Sequence, residues 1–478
     1  MAKFVIFNSY SQVLDATESE FELIKQACLQ SRNVWYFNKL TKKKSVKKRE
    51  WTYLTKNGWV PTGWLHPIHH LLKEAGFSPR YEDRRSKHRA YEGALEGVFE
   101  HDLRPYQEEA VSVMEMKERG VIKLPTGSGK TYVGANIIDR LGESALFVVP
   151  DLNLLSQTYE TFREIWDPSD IGWVGEGRFE ARHITVATAA TLWSRRETKE
   201  VEWLLDATKV LILDEAHGTG YGNGAVWAGR EDKDGKKVHN PTTGNTYFQI
   251  AMKCRNAYYR YGLTATPPKG EQGNLLTCVT GKIIIDIPYT SLRDAGYLSS
   301  VLVSVYDVDM NMHKKEWRDN YRIWMRSPKV NSGIAKLAKD RAKQGKSVLI
   351  VVDEIEDHGN VLKDFLPEAV ILYGSDKERV KKIKELGSKK KTIMISTTIK
   401  KGVDIPSLDV GIRASAKQSY INVIQFAGRA TRVSEGKHCG EIIDFHVKGG
   451  NHLEKWSEKR LITYEEEGFE IIHQGPLP

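Results

Sequence analysis

Eight residues constrain this 478-residue chain more than any others: Leu124-Pro125-Thr126-Gly127-Ser128-Gly129-Lys130-Thr131. They follow a short apolar run and open a helical stretch. Glycines here let backbone N–H groups close around phosphate oxygens, and the start of a helix favours negative charge. Lys130 offers a cation to the β- and γ-phosphates, and Thr131 offers a hydroxyl to Mg²⁺. Leu124 stands where the strict pattern has glycine, so the loop is a variant. A loop of this kind joins a strand to the helix after it, which points to an α/β chain.

The apolar runs agree. From about residue 97 they alternate with helical stretches: Val121–Leu124, Ala145–Val149, Ile184–Val186, Val210–Leu213 and Tyr261–Thr264. A second series is Leu302–Val305, Val348–Val352, Ala369–Tyr373, Thr392–Ser396, Val410–Ile412 and Glu441–Asp444. Continuous apolar runs of this length read as parallel strands buried on both faces. The expected organisation is a small α+β domain over 1–96, then two parallel-sheet domains over 97–300 and 301–478. In the first, Lys3–Tyr10 reads as a strand and Ser19–Gln30 as an amphipathic helix. Asn33–Leu40 and Glu50–Thr55 read as strands flanking a lysine-rich loop, and a second helix ends at Gly76. Between Gly218 and Gln249, Asp234-Gly235 and Thr243-Gly244-Asn245 are turn signals that predict hairpin-like excursions.

Charge is unevenly distributed. Residues 1–95 hold 17 Lys+Arg against 9 Asp+Glu, whereas the rest of the chain holds 54 against 53. The net +9 is therefore almost all in the first fifth. Lys42, Lys43, Lys44, Lys47, Lys48 and Arg49 cluster there, interleaved with Trp35, Tyr36, Trp51 and Tyr53. Such a field attracts a polyanion by counterion release. A solvated basic loop is the competing reading. No apolar run approaches the ~18 residues of a membrane span. The N-terminus lacks a secretory cleavage region. The four cysteines form no CxxC pair, so neither a zinc site nor a disulfide framework is expected. The expectation is a monomeric cytoplasmic protein with no membrane partner.

Two further clusters complete the chemistry. Asp214-Glu215-Ala216-His217 follow the buried run Val210–Leu213. Two acids there are costly unless they serve a cation. Asp214 would hold Mg²⁺ and Glu215 would act as base on the attacking water. Far downstream, Arg429 and Arg432 in Gln425–Arg432 are three apart and share a helix face. Guanidiniums aimed at a γ-phosphate stabilise transition-state charge. ATP would then lie in a cleft between the two parallel-sheet domains.

With these residues in place, about residues 100–445 resemble superfamily 2 helicases and translocases of the DEAH type. Leu103-Arg104-Pro105-Tyr106-Gln107 is similar to the adenine-sensing motif, with Arg104 and Gln107 as nucleotide contacts. Val148-Val149-Pro150 and Thr185–Thr188 look like two of the nucleic-acid-binding motifs. Leu263-Thr264-Ala265-Thr266-Pro267 is similar to the motif that couples hydrolysis to movement. Val348–Asp353, Ser396-Thr397-Thr398 through Gly402-Val403-Asp404, and Gln425–Arg432 follow in the family's order. The last departs from it, since Phe426 stands where arginine is common.

The resemblance implies two tandem RecA-like domains. It assigns Thr126, Gly127, Ser128, Gly129, Lys130, Thr131, Gly402 and Asp404 to ATP, and Thr131 and Asp214 to Mg²⁺. Lys130, Asp214, Glu215, Gln425, Arg429 and Arg432 carry the catalysis. Pro150, Thr188 and Thr398 would touch the nucleic-acid backbone, joined by Lys42, Lys43, Lys44, Lys47 and Lys48. His217, Thr264 and Thr266 would couple the two sites. The segment Leu54…Trp59-Val60-Pro61-Thr62-Gly63-Trp64-Leu65 resembles the front domain of phage UvsW-type branch-migration helicases. This implies a DNA helicase or translocase acting on branched, forked or single-stranded DNA in replication, recombination or repair. An RNA helicase, a non-unwinding ATP-gated clamp and a restriction-type translocase subunit remain alternatives.

Overall fold

The computed structural model describes residues 1–38, 43–86, 97–220, 230–231, 237–238, 246–312, 316–373, 391–397, 408–417 and 439–478. Cα proximity groups Met1–Lys123 with Thr131–Asp286 in one unit, and Leu124–Lys130 with Ile287–Pro478 in another. The sequence-based boundaries lay at 96/97 and 300/301; this division falls at Asp286/Ile287 and keeps the N-terminal residues with the first parallel sheet.

The N-terminal residues start as β1 (Lys3–Ile6) and β2 (Tyr10–Leu14), paired antiparallel. The single strand expected over Lys3–Tyr10 is thus two. Asn8 and Ser9 favour a turn, which Phe7 N–H closes on Tyr10 O at 3.1 Å. Helix α1 (Glu18–Cys28) opens on a capping box. Thr17 Oγ1 accepts from Glu20 N–H, and Glu20 Oε2 accepts from Thr17 N–H at 2.9 Å. Strands β3 (Leu29–Asn38) and β4 (Lys43–Thr52) form a separate two-stranded ribbon. The lysine cluster was expected in a loop; Lys43, Lys44, Lys47 and Lys48 instead lie on β4, and Lys42 lies outside the described residues. Between Lys43 and Arg49 only Val46 is apolar, so the run offers no apolar alternation and looks like a loop in the sequence. Strand β5 (Trp59–Pro61), helix α2 (Leu65–Glu74) and strand β6 (Arg80–Asp83) complete a sheet of order β5-β2-β1-β6.

The second sheet runs from α3 (Pro105–Lys117) through β7 (Arg119–Lys123), α4 (Lys130–Leu141), β8 (Ala145–Val149) and α5 (Leu152–Ile165). It continues with β9 (Ile171–Gly175), β10 (Arg178–Glu180), β11 (Ile184–Thr188), α6 (Ala189–Ser194), α7 (Lys199–Ala207) and β12 (Val210–Asp214). A two-residue ladder, β13 (Arg230–Glu231) with β14 (Lys237–Val238), brackets Asp234-Gly235 and matches the hairpin expected there. Then come α8 (Thr246–Lys253), β15 (Tyr259–Thr264), α9 (Glu271–Thr280) and β16 (Ile283–Asp286). The order is β10-β9-β11-β8-β12-β15-β7-β16, parallel except for β10. Every residue of β8, β11, β12 and β15 is buried, as covered parallel strands must be.

One hydrophobic core runs through both sheets of this unit, from Phe4, Ile24 and Trp64 to Leu213, Leu276 and Cys278. A Cβ added to Gly63 would stand 2.1 Å from Thr277 O, so only glycine permits that approach. Asn274 Nδ2 donates to Gln30 Oε1 (2.7 Å). Arg119 donates to Asn8 O (2.7 Å) and Arg260 to Ser9 Oγ (2.6 Å). Burial lowers Arg260 to about 10, and carbonyls of Ala251, Cys254 and Ala257 accept three more of its N–H groups.

The other unit contains α10 (Tyr289–Asp294), β17 (Ser300–Met312), α11 (Trp317–Arg326), α12 (Pro328–Lys343), β18 (Val348–Val352) and α13 (Asn360–Phe365). Strands β19 (Val370–Leu372), β20 (Ile393–Thr397), β21 (Val410–Arg413) and β22 (Cys439–Gly450) follow, then α14 (Asn451–Glu466) and β23 (Glu470–Pro476). The sheet, β19-β20-β18-β21-β22-β17-β23, is wholly parallel. Arg460 on α14 grips Asp444 on β22 through Nη2 (2.8 Å) and Nε (3.0 Å), both residues 1% exposed. Tyr464 Oη adds a third bond to Asp444 (2.9 Å), so this buried pair is satisfied. The four cysteines are free thiols. No helix among the described residues is long and apolar enough to cross a membrane.

Candidate functional site

Apart from β10 its strands are parallel, so the first large sheet has one carboxyl edge, where the sequence-predicted residues that follow its strands lie. In open α/β sheets this edge is where ligands bind. The phosphate loop leaves β7, Pro150 follows β8, Thr188 ends β11, Asp214 ends β12 and Thr264 ends β15. Strand β15 separates β12 from β7, so the acidic box and the phosphate loop leave the sheet two strand spacings apart, about 10 Å.

The loop's backbone takes the shape its glycines allow. Gly127 and Gly129 have φ of +83° and +78°, in the left-handed region. Buried Ser128 donates through Oγ to Pro125 O (2.8 Å) and braces the turn. Lys130 begins α4, and its Nζ donates to Pro125 O (3.1 Å), which keeps the ammonium over the loop. Upstream, Pro105 occupies the first turn of α3, and Gln107 Oε1 accepts from Arg104 N–H at 3.0 Å. Gln107 is buried, 5% exposed, and its side-chain direction is fixed by this bond.

The acidic box is strained. Glu215 has φ +46°, a conformation that costs a non-glycine residue about 1–3 kcal/mol. Its N–H donates to Asp214 Oδ1 (2.8 Å), and Tyr247 Oη donates to Asp214 O (3.1 Å). Burial, then the charges of Asp214, Glu215 and Asp151, push the Tyr247 hydroxyl well above its ordinary value, so it remains a donor. His217 is fully buried, and its Nδ1 lies 3.1 Å from Glu215 Oε2 and 3.2 Å from Thr264 Oγ1. Thr266 N–H donates to the same Thr264 hydroxyl at 3.1 Å. A continuous polar path therefore runs from the acidic box of β12 to the threonines at the end of β15. Asp214 and Thr131 present carboxylate and hydroxyl oxygens, the hard donors that suit Mg²⁺ completed by phosphate oxygens and water. Among the described residues no cluster of three or more His, Cys, Asp or Glu forms an all-protein metal cage.

The nucleic-acid candidates divide. Thr188 is 3% exposed, and its hydroxyl caps α6, accepting from Thr191 N–H and donating to Thr191 Oγ1 (2.8 Å). Pro150 leads into Asp151, whose Oδ1 caps α5 by accepting from Asn153 and Leu154 N–H. Lys48 pairs with Glu50 at 2.7 Å, both exposed. Thr398, Gly402, Asp404, Gln425, Arg429 and Arg432 lie outside the described residues. Sequence reasoning missed Tyr247. It lies inside the Gly218–Gln249 stretch, which was read for turns and not for a helix, and only the packing of α8 brings it to the acidic box.

A strained acidic box, a glycine phosphate loop and a threonine relay at one sheet edge, with a second parallel sheet in the same chain, are the features of a two-sheet phosphate-loop protein. The "Type III restriction enzyme, res subunit" family matches residues 100–269, and "Helicase conserved C-terminal domain" matches 330–434. The chain belongs to the superfamily 2 helicases, with tandem RecA-like domains. The DNA 3'-5' translocase XPB2 of Sulfurisphaera tokodaii is 26% identical over 394 residues, 73% of this chain and 82% of that protein. The ATP-dependent DNA helicase uvsW of Enterobacteria phage T4 is 20% identical over 406 residues, 77% and 76% of the two chains. In fold, the chain is similar to the Type ISP restriction-modification enzyme LlaBIII bound to DNA (TM-score 0.54, 15% identity, 79% of this chain and 31% of that one). It is also similar to S. cerevisiae Dbp5 bound to RNA and ADP BeF3 (TM-score 0.51, 16% identity, 78% and 89%). One of these carries DNA and the other RNA, so the likeness speaks for fold alone.

Proposed function

We propose that the chain is an ATP-dependent DNA helicase or translocase that unwinds or branch-migrates forked and junction DNA in replication, recombination or repair. The observation that carries the reading is the path Glu215–His217–Thr264–Thr266. It joins a carboxylate suited to activate water to threonines at the end of a neighbouring strand. An ATPase that did nothing but turn over ATP would need no such relay. DNA is favoured over RNA by the named activities of the XPB2 and uvsW relatives, while the basic N-terminal residues suit either polyanion.

In this mechanism Arg104 and Gln107 contact the adenine-bearing end of ATP. The amides of Thr126–Gly129 and the Lys130 ammonium hold its phosphates. Asp214 and Thr131 would hold Mg²⁺, which supplies Lewis-acid charge at the β/γ-phosphates. Glu215 accepts the proton of the attacking water, and its strained backbone holds the carboxylate at the strand end. Gly402 and Asp404 serve the nucleotide. Gln425, Arg429 and Arg432 meet the γ-phosphate region, the arginines stabilising transition-state charge. His217 moves with Glu215 and passes the change to Thr264 and Thr266. Pro150, Thr188 and Thr398 line the strand path, and Lys42–Lys44, Lys47 and Lys48 of the basic N-terminal segment grip the DNA backbone. Given its hydrogen bonds, Thr188 acts through the α6 turn it caps.

The test is the ATPase rate without nucleic acid and with single-stranded, duplex, forked and four-way DNA and sequence-matched RNA. Forked or four-way DNA should stimulate most, and Lys130→Ala and Glu215→Gln should abolish turnover. Glu215→Gln should still bind ATP. Equal stimulation by RNA would defeat the DNA assignment, and normal turnover in Glu215→Gln would defeat the general-base role.

A further inference from the structure

One helix of the second unit carries cations that no motif explains. Strand β17 ends at the carboxyl edge of its sheet, and α12 leads back to the start of β18 at the opposite edge. Helix α11, between them, therefore lies at the carboxyl edge. Two contacts fix it there. Trp324 Nε1 donates to Ala414 O (2.8 Å), just beyond β21, and Arg326 pairs with Asp357 (2.9 Å), just beyond β18. The inner face of α11 is closed by buried Asn320, Tyr321, Trp324 and Met325. Its outer face carries Arg318, Arg322 and Arg326, all exposed.

Spacing by four residues puts the three guanidiniums in one row. Successive arginines are about 6 Å apart along the axis, close to two nucleotide rises of ~3.4 Å on one DNA strand. Every cation of the helix is arginine, the residue whose planar fork suits phosphate. Asp319 is its one acid. Among the described residues no ion pair involves Arg318 or Arg322. The Arg326–Asp357 pair is solvent-exposed on both sides (64% and 43%), so a phosphate can replace the carboxylate at little cost. Lys417, whose Nζ lies 5.4 Å from the Tyr321 ring centroid, adds a further cation beside the helix.

We propose that α11 is a DNA-backbone contact of the second unit, with Arg318 and Arg322 on phosphates of one strand and Arg326 exchanging Asp357 for a third. This inference rests on the DNA-motor reading above and adds a binding surface outside the motifs. It concerns charge and spacing, so it predicts grip without base preference.

The test is the affinity of the full chain for a fluorescent forked DNA at 50–300 mM salt, for wild type, Arg318→Ala/Arg322→Ala and Arg318→Lys/Arg322→Lys. Each phosphate contact contributes roughly 0.7–0.9 to the log–log salt slope. The alanine double variant should lose roughly 1.4–1.8 of that slope and bind about tenfold more weakly or worse at the low-salt end. The lysine variant should recover most of the slope, because counterion release counts charges. Both positions are exposed, so thermal midpoints should stay within about 2 °C. A wild-type slope in the alanine variant would overturn the α11 contact and leave the motor reading intact. Salt-independent or undetectable binding by the wild type would overturn both.

Discussion

His358 should make the second unit acid-sensitive in a defined window. It lies in the π-turn Ile355–Gly359 that follows β18, and it is fully buried. Among the described residues neither ring nitrogen has a hydrogen-bond partner. Burial alone pulls the imidazole down from 6.5 to about 4. Above pH 6.5 the ring is neutral in folded and unfolded chains and contributes nothing to the pH dependence. Between 6.5 and about 4 the unfolded chain takes up the proton while the folded one excludes it, so stability falls as pH falls. At ~1.4 kcal/mol per pH unit, the whole interval is worth about 3 kcal/mol. His358→Leu removes the titration and, among the described residues, gives up no hydrogen bond. The assay is native-state hydrogen exchange of the β18 amides, Val348–Val352, at pH 7.0 and 4.5, corrected for intrinsic exchange rates. The local readout avoids assuming two-state unfolding of a chain this large. Carboxylates titrate equally in both proteins and cancel in the difference. Wild type should lose roughly 2–3 kcal/mol more protection than His358→Leu between these pH values. Equal losses would refute the claim that this ring stays neutral in the folded state.

Three other outcomes follow from the geometry. Gly63→Ala forces a methyl to within 2.1 Å of Thr277 O, so it should destabilise the first unit by about 3 kcal/mol or more in urea unfolding; an unchanged midpoint would mean the approach is looser. Thr264→Val removes the hydroxyl that meets His217 and Thr266 N–H; ATP hydrolysis should persist while strand separation falls at least tenfold, and parallel losses would argue against a coupling role. Lys47→Gln/Lys48→Gln should lower the salt slope of DNA binding by roughly 1.4–1.8, and an unchanged slope would make the ribbon a merely solvated surface.

Legibility varied with burial. Strands β8 and β18 match their expected bounds residue for residue, because a strand covered on both faces must be apolar along its length. Strands β10 and β23 have no such signature. They lie at sheet edges, their residues are mostly exposed, and their sequences read as loop. The lysine run of β4 misleads because it holds no apolar alternation. The phosphate loop and the acidic box were readable because their chemistry needs fixed residue types at fixed spacing, which leaves little freedom for alternatives. Tyr247 and the arginine row of α11 were not. The first matters through a bond to a backbone carbonyl, and the second through the edge of the sheet on which its helix lies.

The sequence by itself determined the α/β class, two parallel sheets in series, the phosphate loop and the acidic box. Each is encoded locally, in a run of apolar residues or a short motif whose backbone needs only neighbouring glycines and a following helix. The tertiary structure decided what stands beside what. It merged the N-terminal layer into the core of the first parallel sheet, brought His217 to Thr264, and laid a row of arginines over the carboxyl edge of the second sheet. These are contacts between residues distant in the chain. They are fixed by strand order and by close approaches such as Gly63 against Thr277, which no local pattern of residues specifies.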